Sequence, residues 1–197
     1  MTADPYMDPL TGILRNLLGI TTAQQLQRAE RRLTRAALLR LAEHSLPGHY
    51  DLAHLQAFHR ALFGDIYVWA GQIRTVNIAR TDFFALYSYI ESYASEVFDR
   101  LAAENRLRGL HFSQFIERLA HYYGEVNAIH PFRNGNGRAQ RAFFAQMAAE
   151  ADWRIGWVQL DPETNVTASL ASLRGNNRAL EGMFRSLVAP TDGGLYP

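Results

Sequence analysis

Phe112, Phe115, Ile116, Leu119, Tyr123 and Val126 recur at helical spacing and lay one apolar stripe along a helix over 113–129. The stripe runs into His130-Pro131. A residue before proline is pushed out of helical geometry, so the helix must end there. Gly135 and Gly137 follow and permit a tight turn. A second helix then covers about 136–150, with Phe143, Phe144 and Met147 inward. This helix–turn–helix step constrains the fold more than any other stretch of the chain.

The rest of the pattern is mostly helical. Thr22 followed by Gln25 resembles a capping box opening a helix over 23–45, with Leu26, Leu33, Ala37, Leu38 and Leu41 on one face and arginines on the other. Pro47-Gly48 stops it. Further helices are expected at 51–63, 87–105, 163–173 and 177–188. Residues 71–86 alternate and carry β-branched side chains, which predicts a short β-hairpin. The expectation is one mainly α domain over 1–188, a helical bundle with one β-hairpin flap, and a loose tail over 189–197. No basic start precedes an apolar run, and no stretch of 18 apolar residues could cross a membrane, so a cytoplasmic location is the default.

Composition narrows the chemistry. All 20 basic residues are arginine, and there is no cysteine. A Walker A loop, a kinase-type strand lysine, a lysine Schiff base, a thiol nucleophile and a Cys-ligated zinc are therefore excluded. The net charge of +1 gives no global basic field for nucleic acid. His44, His49, His54 and His59 have the wrong spacing for metal ligands on one helical face. Trp69, Trp153 and Trp157 read as packing residues. Arg28, Arg31, Arg32 and Arg35 read as a solvated face or a docking face for an acidic partner.

Positive charge is instead local. Between Glu125 and Glu150 no acidic residue occurs, while the window holds Arg133, Arg138 and Arg141. Arg138 and Arg141 share a helical face and repel each other unless an anion sits between them. The first turn of the helix at 136 offers unpaired amides and the positive end of its dipole. A di- or triphosphate fits, because arginine forks grip phosphate oxygens in pairs. His130, neutral at pH 7, could take a proton from an incoming hydroxyl.

The run HPFRNGNGRAQR closely resembles the motif of the Fic family, H-x-F-x-D/E-G-N-G-R-x-x-R, at every specified position but one. WAGQIR with Asn77-Ile78 resembles the lead-in to the family's flap, and FIERLAHYYGEVN the helix before the motif. The resemblance covers roughly 4–188 and implies transfer of AMP from ATP, with Mg²⁺, to a hydroxyl side chain of a target protein. It implies His130 as general base, Gly135, Asn136 and Gly137 as the anion hole, and Arg133, Arg138 and Arg141 around the phosphates. It implies a target-docking flap of Ile73, Arg74, Thr75, Val76, Asn77, Ile78, Thr81, Asp82 and Phe83, which takes the target segment as an added strand. Asn134 stands where the family has its Mg²⁺-binding acid and offers a weaker, uncharged ligand. A nucleotide-binding pseudoenzyme or a weakened variant is therefore the alternative expectation.

Family members are held inactive by a glutamate in an S/T-x-x-x-E-G/N helix that pairs with the second motif arginine. The nearest stretches here, Arg100 to Asn105 and Asn177 to Gly182, lack the Ser or Thr. The resemblance thus implies a toxin inhibited in trans by a small antitoxin carrying that glutamate. By the same resemblance the target protein is expected among type II topoisomerase subunits, with neither a membrane nor direct nucleic-acid contact involved.

Overall fold

The computed structural model describes residues 4–78 and 84–191. Seven α-helices run in chain order: α1 (Ala23–Glu43), α2 (Leu52–Phe63), α3 (Ile90–Ala103), α4 (Phe112–Ile129), α5 (Asn136–Ala149), α6 (Pro162–Leu173) and α7 (Arg178–Leu187). The predicted helices are all present, with ends shifted by a few residues at most. The element over 87–105 opens as a 3₁₀ turn, Tyr87–Tyr89, before becoming α-helical at Ile90.

The apolar stripe explains the centre of the fold. On α4, Phe115, Ile116, Leu119, Ala120, Tyr123 and Val126 are buried, and α4 packs on α3, α5, α6 and α7. Phe143, Phe144 and Met147 of α5 close the core from the next layer. Phe144 lies 5.6 Å from Tyr123 and 5.2 Å from Phe143, ring centre to ring centre, in the tilted and edge-on geometries that aromatic rings favour. Helix α2 covers α5, and α1 covers α2. Asp51 caps α2 through the His54 amide, and Asp161 caps α6 through the Thr164 amide, with Pro162 at the first helical position. Thr22 stands at the N-cap of α1, but its side chain makes no capping bond.

Three expectations change. Residues 71–78 and 84–86 form no strand, and the rest of the expected hairpin falls on 79–83, outside the described residues. The antiparallel pair instead joins β1 (Trp153–Ile155) to β2 (Val188–Pro190), with Arg154 opposite Ala189. The expected tail therefore begins too early, because Ala189 and Pro190 lie in β2 and the Thr191 amide bonds the Asp152 carbonyl. Finally, Glu30 and Thr34 share the inward face of α1 with Leu26 and Ala37, whereas Leu38 is exposed.

Phe144 is fully buried. Its replacement by alanine is expected to cost roughly 3–5 kcal/mol in a urea titration followed by circular dichroism.

Candidate active site

Helix α4 ends in a left-handed residue. His130 has φ 45° and ψ 60°, and its amide still bonds the Val126 carbonyl. Pro131 blocks a further turn, and the preceding residue escapes into the left-handed region instead of the extended one expected. The imidazole stacks on Phe84, with centroids 3.7 Å apart and planes 15° from parallel. Its Nδ1 lies 3.2 Å from the Asn127 carbonyl. A carbonyl can only accept, so the contact places a proton on Nδ1 and, in the neutral ring, the lone pair on Nε2.

The turn from Pro131 to Gly135 is braced by side chains. Asn136 is buried; its Oδ1 accepts from the Phe132 amide at 2.9 Å and its Nδ2 donates to the Phe132 carbonyl at 2.6 Å. Gly135 sits at φ 83°, and a Cβ there would collide with the Phe63 ring. His59 of α2 lies between Phe63 and Phe132, with centroids at 4.7 and 4.0 Å. Its Nε2 donates to the Asn134 carbonyl and its Nδ1 accepts from the Gly71 amide, both at 2.8 Å. Burial lowers its pKa to about 4, with Arg138 adding to the shift, so the ring is neutral and both nitrogens are committed.

With the loop fixed, the N-terminus of α5 faces open space. The amides of Asn136 and Gly137 have no partner within the described residues, whereas those of Arg138 and Ala139 both bond the Gly135 carbonyl. Three arginines surround this turn in different states. Arg133 pairs with Asp4 at 2.7 Å. Arg138 pairs with Glu30 at 2.5 Å and lies over the Phe63 ring at 4.6 Å. Arg141 has no carboxylate partner among the described residues. His130, Arg133 to Arg138 and Arg141 line one cavity of about 750 Å³, together with Ile78, Phe84 and Tyr123. One wall, from α6 and the turn before it, is mostly apolar: Trp157, Leu160, Val166, Leu170 and Leu173, with Asn165 and Ser169 among them.

The family model described as Fic/DOC matches residues 49–148, which span α2 to α5 and the whole braced turn. The chain belongs to the Fic/DOC family. It is 42% identical over 183 residues to the protein adenylyltransferase VbhT of Bartonella schoenbuchensis, covering 92% of this chain but only 38% of that protein. It is 41% identical over 189 residues to the Salmonella typhimurium protein named "Probable protein adenylyltransferase Fic", covering 94% of this chain and 92% of the relative. Among solved structures, the N-terminal Fic domain of a VirB-translocated Bep effector from Bartonella quintana, with bound ADP, superposes with a TM-score of 0.88 at 26% identity, covering 95% of each chain.

The Fic motif residues thus meet around one cavity, but not every expected contact is available. The Asn136 side chain is consumed by the turn, which leaves its amide as the group facing an anion. Arg133 is already paired with Asp4. Arg74 is only 1% exposed and cannot dock a target. Its Nε donates to the His130 carbonyl at 2.9 Å, Nη1 to Val76 at 2.7 Å, and Nη2 to Ala85 and Ile129 at 2.5 and 3.4 Å. The guanidinium therefore takes over carbonyls that a strand ladder would otherwise have used. Thr75 and Asn77 are exposed, while Ile73, Val76 and Ile78 are half-buried. Thr81, Asp82 and Phe83 lie outside the described residues.

Asn134 does not build a resident Mg²⁺ site. Its Nδ2 donates to Glu30 at 2.7 Å, and both Glu30 oxygens are engaged. Among the described residues no three acidic or histidine side chains group as metal ligands. One neutral amide oxygen is a poor match for an ion that prefers carboxylates.

Sequence reasoning missed Glu30, His59 and Asp4 as partners of the motif. Glu30 had a signal, being a carboxylate on the inward stripe of α1. His59 and Asp4 had none, because their partners are distant in sequence.

Two outcomes are expected. His59 has a folded pKa of about 4, below its ordinary value of 6.5. Between those values the unfolded chain binds more protons, so this contribution is intact above pH 6.5 and lost as pH falls toward 4. Thermal melts across that window should show a shallower pH slope in His59→Gln. Arg74→Leu orphans buried carbonyls at about 1–3 kcal/mol each, and a urea titration should show the loss.

Proposed function

We propose that this chain is a protein adenylyltransferase that moves AMP from ATP to a hydroxyl side chain of a target protein. The observation that carries this reading is the meeting of a base and an anion site in one cavity. His130 lines the same space as the unpartnered α5 amides and the Arg138 and Arg141 guanidiniums. The relatives named as adenylyltransferases and the ADP-bound Fic domain support it.

The α- and β-phosphates lie against the amides of Asn136 and Gly137, where the helix dipole favours negative charge. Arg138 and Arg141 hold the outer phosphates. The base rests on the apolar wall of α6, in a cavity of the size that nucleotides occupy. The target hydroxyl oxygen attacks the α-phosphorus, and its proton passes to Nε2 of His130. A new oxygen–phosphorus bond forms, the bond to the β-phosphate bridging oxygen breaks, and pyrophosphate leaves. Mg²⁺, which the residues here do not hold, would be carried by the ATP phosphates and would neutralise part of their charge. The exposed Thr75 and Asn77 edge, beside Ile78 at the cavity, receives the target segment.

Arg141 supports a reading of regulation in trans. A second groove of about 970 Å³ runs along α1, past Gln27, Arg31, Arg35 and Leu38, and reaches Arg138 and Arg141. A small antitoxin helix with one glutamate suits that groove, since its carboxylate would meet an arginine that no carboxylate holds among the described residues. We assign the chain as the toxin half of such a pair, working in the cytoplasm on a target of the type II topoisomerase class.

The second reading rests on Asn134, whose amide is tied to Glu30. On that reading the chain binds nucleotide and transfers it weakly or not at all.

Incubation with α-labelled ATP, Mg²⁺ and bacterial lysate should label a protein and raise its mass by one AMP. His130→Ala should lose the label by roughly a hundredfold or more while keeping its affinity for a non-hydrolysable ATP analogue. An analogue that binds without any label from the parent chain would select the second reading, and Asn134→Asp should then raise turnover.

A further inference from the structure

Glu30 bonds the motif directly, and it comes from α1, 108 residues before its arginine partner. Its side chain is 10% exposed and its carboxylate has three donors. Oε2 accepts from Arg138 Nη2 at 2.5 Å. Oε1 accepts from Asn134 Nδ2 at 2.7 Å and from the Tyr67 hydroxyl. Burial and the Glu30 carboxylate push the Tyr67 pKa up, so the hydroxyl keeps its proton and remains a donor.

Two of these three donors belong to the motif. Arg138 is held at one edge by Glu30 and on one face by Phe63, and it still borders the cavity. A guanidinium has five N–H donors, and Glu30 uses one. The remaining donors are thereby aimed by a contact outside the motif, and the rotamer freedom of a long side chain is removed before any ligand arrives. The same carboxylate explains why an amide suits position 134. The Asn134 NH₂ group satisfies Oε1, whereas an acid in the same rotamer would set two carboxylates in contact.

We propose that Glu30 is a positioning residue of the nucleotide site, supplied by α1, which orients Arg138 toward the outer phosphates. It rests on the nucleotide reading of the cavity. It differs from the inhibitory arrangement, in which a glutamate pairs with the second arginine of the motif, Arg141 here.

Calorimetry with a non-hydrolysable ATP analogue and with AMP tests it on the full chain. AMP lacks the outer phosphates, so a general loss of structure moves both ligands and a positioning role moves one. In Glu30→Gln the ATP analogue should bind about tenfold more weakly, the loss of one charge-assisted hydrogen bond, while AMP changes less than about twofold. In an Arg138→Ala background the same substitution should add nothing. Should Glu30→Gln fail to fold, Glu30→Asp carries the same comparison, with a carboxylate that no longer reaches. Unchanged analogue binding, equal losses for both ligands, or a gain in analogue affinity from freeing Arg138 would each overturn the proposal. Failure of the parent chain to bind the analogue would instead remove the nucleotide reading, and this role with it.

Discussion

The site depends on one reciprocal contact, in which the Asn136 side chain both donates to and accepts from the Phe132 backbone. An amide carries its acceptor and its donor on separate atoms and so reaches both backbone groups of Phe132, whereas a carboxylate of the same size lacks the donor. This contact closes the turn between α4 and α5 without using any amide of the α5 N-terminus. The amides of Asn136 and Gly137 stay open because the turn is stabilised by a side chain instead of by them. Gly135 makes the same turn possible sterically, with the Phe63 ring filling the space where a side chain would stand.

The electrostatics around the turn are graded. Arg133 is paired, Arg138 is paired yet still borders the cavity, and Arg141 has no carboxylate partner among the described residues. Three cations close together with no counter-ions would repel one another and weaken the fold. Three cations all fully neutralised would attract no phosphate. Asp4 and Glu30 reach the motif from the N-terminal part of the chain, so the counter-charges arrive by tertiary packing while the motif window itself stays free of acid. The missing lysine fits this arrangement, because a planar fork can hold a carboxylate at one edge and present the other, which an ammonium cannot do with the same geometry.

Much of this was legible in the sequence. The α4 stripe, the His130-Pro131 stop and the inward Phe143, Phe144 and Met147 follow from helical periodicity, a local property. The motif resemblance pointed to His130, Arg138 and Arg141, which the structure brings to one cavity. What was not legible depends on contacts across long separations. Alternation at 71–86 suggested strands, but whether a ladder forms depends on where the backbone groups find partners, and Arg74 offers them its own donors. The pairing of Trp153–Ile155 with Val188–Pro190 had no alternation long enough to show. The spacing of His54 and His59 could not reveal that both rings of His59's aromatic sandwich and its two hydrogen bonds anchor the motif turn.

Arg74 has a further consequence for how the molecule breathes. Its guanidinium ties Val76 and Ala85, on either side of residues 79–83, to the carbonyls of Ile129 and His130 at the C-terminal end of α4. Those carbonyls carry the negative end of the helix dipole, so the cation is held electrostatically as well as by hydrogen bonds. Local unfolding proceeds in cooperative units set by shared contacts. The two stems of the flap and the backbone that carries the base therefore form one such unit, and amide exchange at Ala85 and at His130 should report a common opening event. Anything that rigidifies the two stems would therefore also damp the fluctuations of the His130 backbone.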